Sequence, residues 1–187
     1  MKQYELTKEK MGELFPCFMK VKDEKVANQI LAVWQDMFGQ GTWDSIEEIN
    51  FCPGVNDYTL QGHINAVTEA AIEVAKVLSK TQGVQFDEQL LITLGLLHDV
   101  SKLVEYKPDG HGGSCKTELG EKIQHGAAGA ICAEKHGFSL DVVHLILTHT
   151  PLSKIKPALK EGILFCYVDL ADADALFFET GQPLFLK

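Results

Sequence analysis

A histidine and an aspartate stand side by side at the end of an apolar run, in residues 96–102 (LLHDVSK). Burying such a pair alone is costly, because a carboxylate removed from water needs a neighbouring charge or a metal ion. A ring nitrogen of His98 and an oxygen of Asp99 can bind one cation, or Asp99 can bridge two cations. Lys102 follows Asp99 at i+3, so both side chains can lie on one helix face. The fold must therefore bring further ligands or charges to this pair.

Apolar residues recur at helical spacing over most of the chain, and we find no convincing pair of strands. Polar caps and glycine stops predict helices starting at Asp23 or Glu24 and at Asn56 or Asp57, and others over 88–102, 117–136, 140–149 and 160–179. The expected fold class is all-α, a bundle of six or seven helices. The predicted core positions include Leu60, Ile64, Val67, Ala71, Val74, Val77, Ile163, Leu164, Tyr167 and Leu170.

Composition excludes several classes of function. The chain has 187 residues and a formal net charge of −9, and all 17 basic residues are lysines. This charge argues against general nucleic-acid binding, which needs a basic face. Without arginine, an anionic substrate must be held by metals, lysines and helix N-termini. Because no apolar run is long enough to span a membrane and no signal peptide is evident, we expect a cytoplasmic protein.

The five cysteines are scattered along the chain and form no Cys-x-x-Cys pair. Their odd number and their spacing predict reduced thiols, packed as small apolar groups. The same spacing argues against a zinc knuckle.

Several residues of the kinds that bind metals occur among apolar neighbours on five predicted helices. They are His63, His98, Asp99, His125, His149 and an aspartate in the segment 167–172 (YVDLAD). A single histidine on an apolar face is most often a satisfied core residue. Four such histidines beside one carboxylate favour a metal site instead.

The order of these residues resembles the HD-domain superfamily of metal-dependent phosphohydrolases. The resemblance implies an all-α, HD-domain-like helical bundle with a metal site in its core. The resemblance covers about residues 55–176, and its motifs are His63, LHDVSK (97–102), QHGA (124–127), LTHT (147–150) and VD (168–169). Minimal members of that superfamily bind one metal, which here implies His63, His98, Asp99 and Asp169 as ligands. Members with two further histidines bind two metals. The resemblance therefore implies a dinuclear site with His125 and His149 added and Asp99 bridging the ions.

The ligand types suit iron, manganese, cobalt, nickel or zinc better than calcium. The last ligand is open at this stage, because Asp169, Asp172 and Asp174 lie close together in the sequence. Motif alignment favours Asp169, and the other two would be surface carboxylates or partners of ligand histidines. Lys102 matches the superfamily's His-Asp-x-x-Lys pattern and is expected to bind a substrate anion. Its other interpretation is a lysine that complements the helix dipole.

Three further histidines and one loop have weaker signals. His144 would point away from His149 on the same helix, and His136 abuts the helix stop at Gly137. The loop 110–117 (GHGGSCKT) is not a phosphate-binding loop, because Cys115 replaces its second glycine and no strand is predicted before it. It is either a lid over the metals, with His111 or Lys116 meeting substrate, or a plain solvent loop.

The leading functional prediction is a phosphohydrolase that uses metal-activated water on a small phosphorylated metabolite or nucleotide, with Asp99 and Lys102 as catalytic residues. A di-iron oxygenase that cleaves a carbon–carbon or carbon–phosphorus bond can use the same ligand set. A non-catalytic regulatory domain is a third alternative. We expect one domain, with 1–54 as a helical cap, 55–176 as the metal-binding core and 177–187 as a tail. A small anionic substrate is the expected partner, neither nucleic acid nor a membrane is expected to bind, and oligomerisation is left open.

Overall fold

The computed structural model of the chain describes residues 6–186, and it confirms the all-α class. The helices are α1 (Lys8–Leu14), a 3-10 helix (Pro16–Lys20), α2 (Glu24–Gln40), α3 (Leu60–Gln82), α4 (Glu88–Leu97), α5 (Lys102–Glu105), α6 (Glu118–Lys122), α7 (Ala127–Lys135), α8 (Leu140–Thr148) and α9 (Lys160–Thr180). The strands are β1 (Asn50–Cys52), β2 (Val55–Thr59), β3 (Tyr106–Pro108) and β4 (Ser114–Lys116). Among these residues, none of the helices combines the length and hydrophobicity that crossing a lipid bilayer requires.

Capping residues explain where the long helices begin and end. The side chain of Asp23 accepts hydrogen bonds from two backbone N–H groups at the start of α2, and Asp87 does the same for α4. Gly83 ends α3 in the left-handed conformation, with φ of 74°, which a residue with a Cβ rarely adopts. These boundaries were predicted correctly from the caps and glycines.

The structure contains two short antiparallel hairpins that the sequence pattern did not predict. Strand β1 pairs with β2, and β3 pairs with β4 with Lys107 opposite Cys115. The predicted helix start at Asn56 or Asp57 was therefore wrong, because both residues lie in β2 and Thr59 caps α3 instead. The strands are too short to show a reliable alternating pattern.

The single helix predicted over 117–136 was also wrong. It is divided into α6 and α7 by a break that contains His125 and Gly126. Gly126 has φ of 82°, and a Cβ there would come within 2.9 Å of the Ile146 carbonyl oxygen. Only glycine fits this close approach, and the break turns His125 toward the interior rather than along a helix surface.

The buried side chains of α1 and α2 belong to the same hydrophobic cluster as those of α3, α4 and α8. Trp34 of α2 is fully buried and donates a hydrogen bond from Nε1 to the Leu96 carbonyl, 2.8 Å away. This bond anchors α2 directly behind the His98-Asp99 turn.

Four residues that were predicted to be buried are exposed, because the solvent-facing sides of α3 and α9 also carry apolar side chains. They are Val74, Val77, Ile163 and Tyr167, all of which are exposed.

Candidate metal centre

Different elements contribute the six candidate ligands, and the fold brings them together. His63 lies on α3, and His98 and Asp99 form the turn between α4 and α5. His125 lies in the α6–α7 break, His149 caps the C-terminal end of α8, and Asp169 lies on α9. All except the partly exposed His125 are buried.

The carboxylate of Asp99 lies between two pairs of histidines. Its Oδ2 is 3.2 Å from His63 Nε2 and 3.6 Å from His98 Nε2. Its Oδ1 is 2.9 Å from His125 Nε2 and 3.6 Å from His149 Nε2. Each oxygen therefore faces its own pair of ring nitrogens. In each half, the two nitrogens and the Asp99 oxygen lie within 4.8 Å of one another, as ligands of one ion must.

The spacing of the first histidine pair fits a shared ion. The Nε2 atoms of His63 and His98 are only 3.2 Å apart. Two nitrogens bound about 2.0–2.1 Å from one cation at octahedral or tetrahedral angles lie roughly 2.8–3.4 Å apart. The donor set of this half thus fits a transition-metal ion.

The position of the last aspartate separates the three candidates. Asp169 Oδ1 is 3.1 Å from His63 Nε2 and 3.8 Å from His98 Nε2, on the same side as Asp99. Asp172 instead contacts the opposite ring nitrogen, Nδ1 of His63, at 2.6 Å. Asp174 accepts hydrogen bonds from the backbone of the C-terminal tail, at Phe185 and Leu186. The geometry therefore favours Asp169 as a ligand and Asp172 as the partner of a ligand.

All four histidines have their Nδ1 atoms engaged away from the centre. His98 Nδ1 donates to the Gly95 carbonyl at 2.8 Å, and His149 Nδ1 donates to the Ile146 carbonyl at 2.6 Å. A neutral imidazole whose Nδ1 carries the proton has a free lone pair on Nε2. These bonds orient both rings so that Nε2 points at Asp99.

Carboxylates orient the rings of the other two histidines, His63 and His125. Asp172 accepts from His63 Nδ1, and Glu105 Oε2 accepts from His125 Nδ1 at 2.6 Å. Glu105 also accepts from the Gly126 backbone N–H at 3.2 Å, so it fixes both the ring and the break that carries it. Carboxylate–histidine pairs of this kind orient metal ligands and raise their basicity.

The charges of the centre favour cations. Burial raises the pKa of Asp99, but Lys102 and the surrounding histidines outweigh it and hold that pKa well below its usual range. Burial also opposes ionisation of Asp169, yet hydrogen bonding to His63 lowers its pKa to about 2. Both carboxylates are therefore anionic at neutral pH.

The neighbouring carboxylates change the pKa values of the histidines. Burial disfavours charge on His63 and His125, but hydrogen bonds to the carboxylates prevail and raise their pKa values to about 10 and about 9. Burial dominates at His98 and lowers its pKa to about 4. Protons on His63 and His125 thus compensate the negative charge when no cation is bound, and a metal ion must displace them.

Lys102 is only 5% exposed, and its Nζ lies 2.7 Å from Asp99 Oδ2. The same Nζ stands 3.8 Å from the centroid of the Phe51 ring. A lysine that served only to complement a helix dipole would need neither this close cation–π contact nor this burial.

A cavity of about 310 Å³ opens over the centre. Asp99, His125, His149, Asp169 and Lys102 are among the residues that line it. Lys116 of β4 also lines the cavity, whereas His111 is exposed in the loop between β3 and β4 and is not a lining residue.

Sequence reasoning missed Glu105 and the aromatic side of the cavity. Phe51, Phe177 and Phe185 line the cavity together. The centroid of the Phe177 ring is 6.0 Å from that of Phe51 and 5.6 Å from that of Phe185. A signal for Glu105 was present, because it is a charged residue that ends the apolar segment 103–104, six residues after Asp99.

The remaining histidines lie elsewhere. His144 Nε2 accepts a hydrogen bond from the Ala158 backbone N–H at 2.9 Å and holds the turn before α9. His136 Nε2 lies 2.9 Å from Asp36 Oδ2.

Comparison with known proteins gives one match. The family model described as HD domain matches residues 61–176, which is more than half of the chain. No curated protein and no solved structure matches.

Proposed function

Because the chain belongs to the HD-domain family, whose members are generally metal-dependent hydrolases, we propose that it is a phosphohydrolase with two divalent metal ions. The observation that carries the proposal is the position of Asp99, whose two oxygens face separate histidine pairs. A carboxylate placed in this way suits a bridge between two ions.

The first proposed ion would be held by His63, His98, Asp99 and Asp169, and the second by Asp99, His125 and His149. When bound, a pair of such ions lowers the pKa of a water molecule and polarises phosphoryl oxygens. Two of the protein's own side chains would bind the substrate and orient a ligand. Lys102 supplies a fixed positive charge for a phosphoryl oxygen, and Glu105 keeps the His125 ring aimed at the centre.

The cavity supports a small phosphomonoester as substrate. Among the described residues, Lys102 and Lys116 are the lysines that line it, and the chain has no arginine to bind further phosphates. Glu105 and Glu121 also line it and would repel a polyphosphate. The aromatic wall of Phe51, Phe177 and Phe185 suits an apolar or ring-bearing alcohol portion. We infer a substrate with one phosphoryl group and an apolar body.

The first test is chemical. Protein purified without oxygen should contain at least about two transition-metal ions per chain and release phosphate from monoesters in a colorimetric screen. A chelator should abolish that release, and returning manganese or iron should restore it. Consumption of oxygen without phosphate release from any ester would contradict the proposal and favour the oxygenase.

The aromatic wall gives a second prediction. Replacing Phe177 by alanine should raise KM for an aryl phosphate about tenfold, because burying a ring is worth roughly 1.5–3 kcal/mol. The same change should leave KM for glycerol phosphate nearly constant. Phe178→Ala is the matched control, since the neighbouring ring is 74% exposed and does not line the cavity. Equal losses on both substrates in Phe177→Ala would show that the ring has only a structural role.

A further inference from the structure

A second group of metal-binding side chains lies between α2 and α7, outside the cavity described above. It consists of Asp36, Cys132 and His136. His136 Nε2 is 2.9 Å from Asp36 Oδ2, and Cys132 Sγ is 3.7 Å from the same oxygen. The three ligand atoms all lie within 4.8 Å of one another.

The local structure brings these atoms together for simple reasons. Cys132 and His136 are four residues apart at the end of α7, so both project from one face of the helix. Asp36 projects toward them from the facing side of α2, and Gln40 donates to its Oδ1 at 3.0 Å. The other oxygen, Oδ2, is left to the thiol and the imidazole. Gln29 fixes the position of His136 further by donating to its backbone carbonyl at 2.8 Å.

Lys135 supplies a positive charge beside Asp36. Its Nζ lies 2.8 Å from Asp36 Oδ2, and its side chain is 65% exposed. Three donors thus converge on a single carboxylate oxygen. Because Lys135 is on the surface, its ammonium can move into solvent when a divalent cation binds to Asp36 instead.

We propose that Asp36, Cys132 and His136 form a second, structural binding site for a zinc-like divalent cation. One thiolate, one imidazole and one carboxylate suit Zn²⁺ or Co²⁺, and the thiolate disfavours Mg²⁺ and Ca²⁺. Binding releases the Cys132 proton to water, and a water molecule completes a four-coordinate shell. The charges then balance, since the carboxylate and thiolate together offset the charge of the ion.

The site would join a helix outside the region that matches the HD-domain model to a helix inside it. Asp36 lies before the region that matches the HD-domain model, whereas Cys132 and His136 lie within it. A shared ion therefore clamps the N-terminal helix α2 onto α7 of the family core. This role is independent of the proposed phosphohydrolase activity, because none of the three residues lines the cavity over the metal centre.

Cobalt titration of the full-length metal-loaded protein tests the site. Thiolate ligation gives Co²⁺ a charge-transfer absorption in the near ultraviolet, which histidine and aspartate ligands do not produce. We expect this band to appear in the wild type, with the release of one proton. In Cys132→Ser the band should be lost. In His136→Gln, cobalt should bind at least about a hundredfold more weakly, since even the partners of ligands contribute roughly 10–100-fold.

Two controls and one gain-of-affinity variant complete the experiment. Cys52 lines the main cavity, and Cys166 donates to the Thr148 carbonyl close to His149, so Cys52→Ser and Cys166→Ser test a thiol near the main centre. Both should keep the band. Lys135→Met should strengthen cobalt binding about tenfold by removing a competing cation. This surface variant also guards against a folding defect in Cys132→Ser.

The proposal fails if excess cobalt produces no thiolate band in the wild type. It also fails if the band persists in Cys132→Ser or disappears in Cys52→Ser or Cys166→Ser. Unchanged cobalt affinity in Lys135→Met would likewise contradict it. None of these results bears on phosphate release, so the two proposals stand or fall separately.

Discussion

Asp99→Ala is expected to eliminate both metal ions and to lower kcat/KM for phosphate release by more than about a thousandfold. The physical reason is that Asp99 faces both histidine pairs, at 2.9 Å from His125 Nε2 and 3.2 Å from His63 Nε2. Without this carboxylate, each half loses its anionic bridge. Elemental analysis after gel filtration would measure the metal content, and the phosphate assay would measure the activity.

Loss of folding must be separated from loss of metal in this experiment. Lys102 is buried beside Asp99, and leaving a buried charge without its partner costs about 3–5 kcal/mol. Asp99→Asn keeps the shape and a polar contact for Lys102, so it should fold yet still lose most of its metal. The matched control is Asp141→Ala, which removes an exposed aspartate of α8. If folded Asp99→Ala or Asp99→Asn kept metal and activity, the assignment of this centre would be wrong.

The parts of the fold that could be predicted depend on local signals. Asp87 caps α4 through hydrogen bonds to residues two and three positions later, and Gly83 ends α3 by its own conformation. The candidate ligands could be selected in the same way, because a polar residue such as His98 is conspicuous among leucines. Each of these signals is contained in a few neighbouring residues.

Other features depend on contacts that no local pattern contains. The helix break at Gly126 is set by the Ile146 carbonyl, 20 residues later in the chain. Phe51 and Phe185 reach the same cavity from opposite ends of the sequence. Glu105 is recognisable as a partner of His125 only once the break has turned that ring inward. In each case the tertiary structure decides what the residue contacts.

A comparison of Asp169→Asn with Asp172→Asn should distinguish a ligand from the partner of a ligand. Asp169 Oδ1 is 3.1 Å from His63 Nε2, on the metal side, whereas Asp172 is 2.6 Å from Nδ1 on the far side of the same ring. Asp169→Asn should therefore lose the ion of the His63–His98 half while the His125–His149 half keeps its own. Metal content should fall by about one ion per chain, and phosphate release should cease.

Asp172→Asn should behave differently, because an asparagine oxygen can still accept a hydrogen bond from His63 Nδ1 and keep the ring in place. Its metal content at saturation should equal that of the wild type, with the affinity of one ion weakened roughly 10–100-fold by the loss of the charged partner. The measurement is competition with a chromophoric chelator, with Asp174→Asn as the control because that carboxylate binds only the backbone of the tail. The reverse pattern, with one ion lost in Asp172→Asn and none in Asp169→Asn, would move the ligand to Asp172. Loss of both ions in Asp169→Asn would mean that the two halves bind metal cooperatively through the Asp99 bridge.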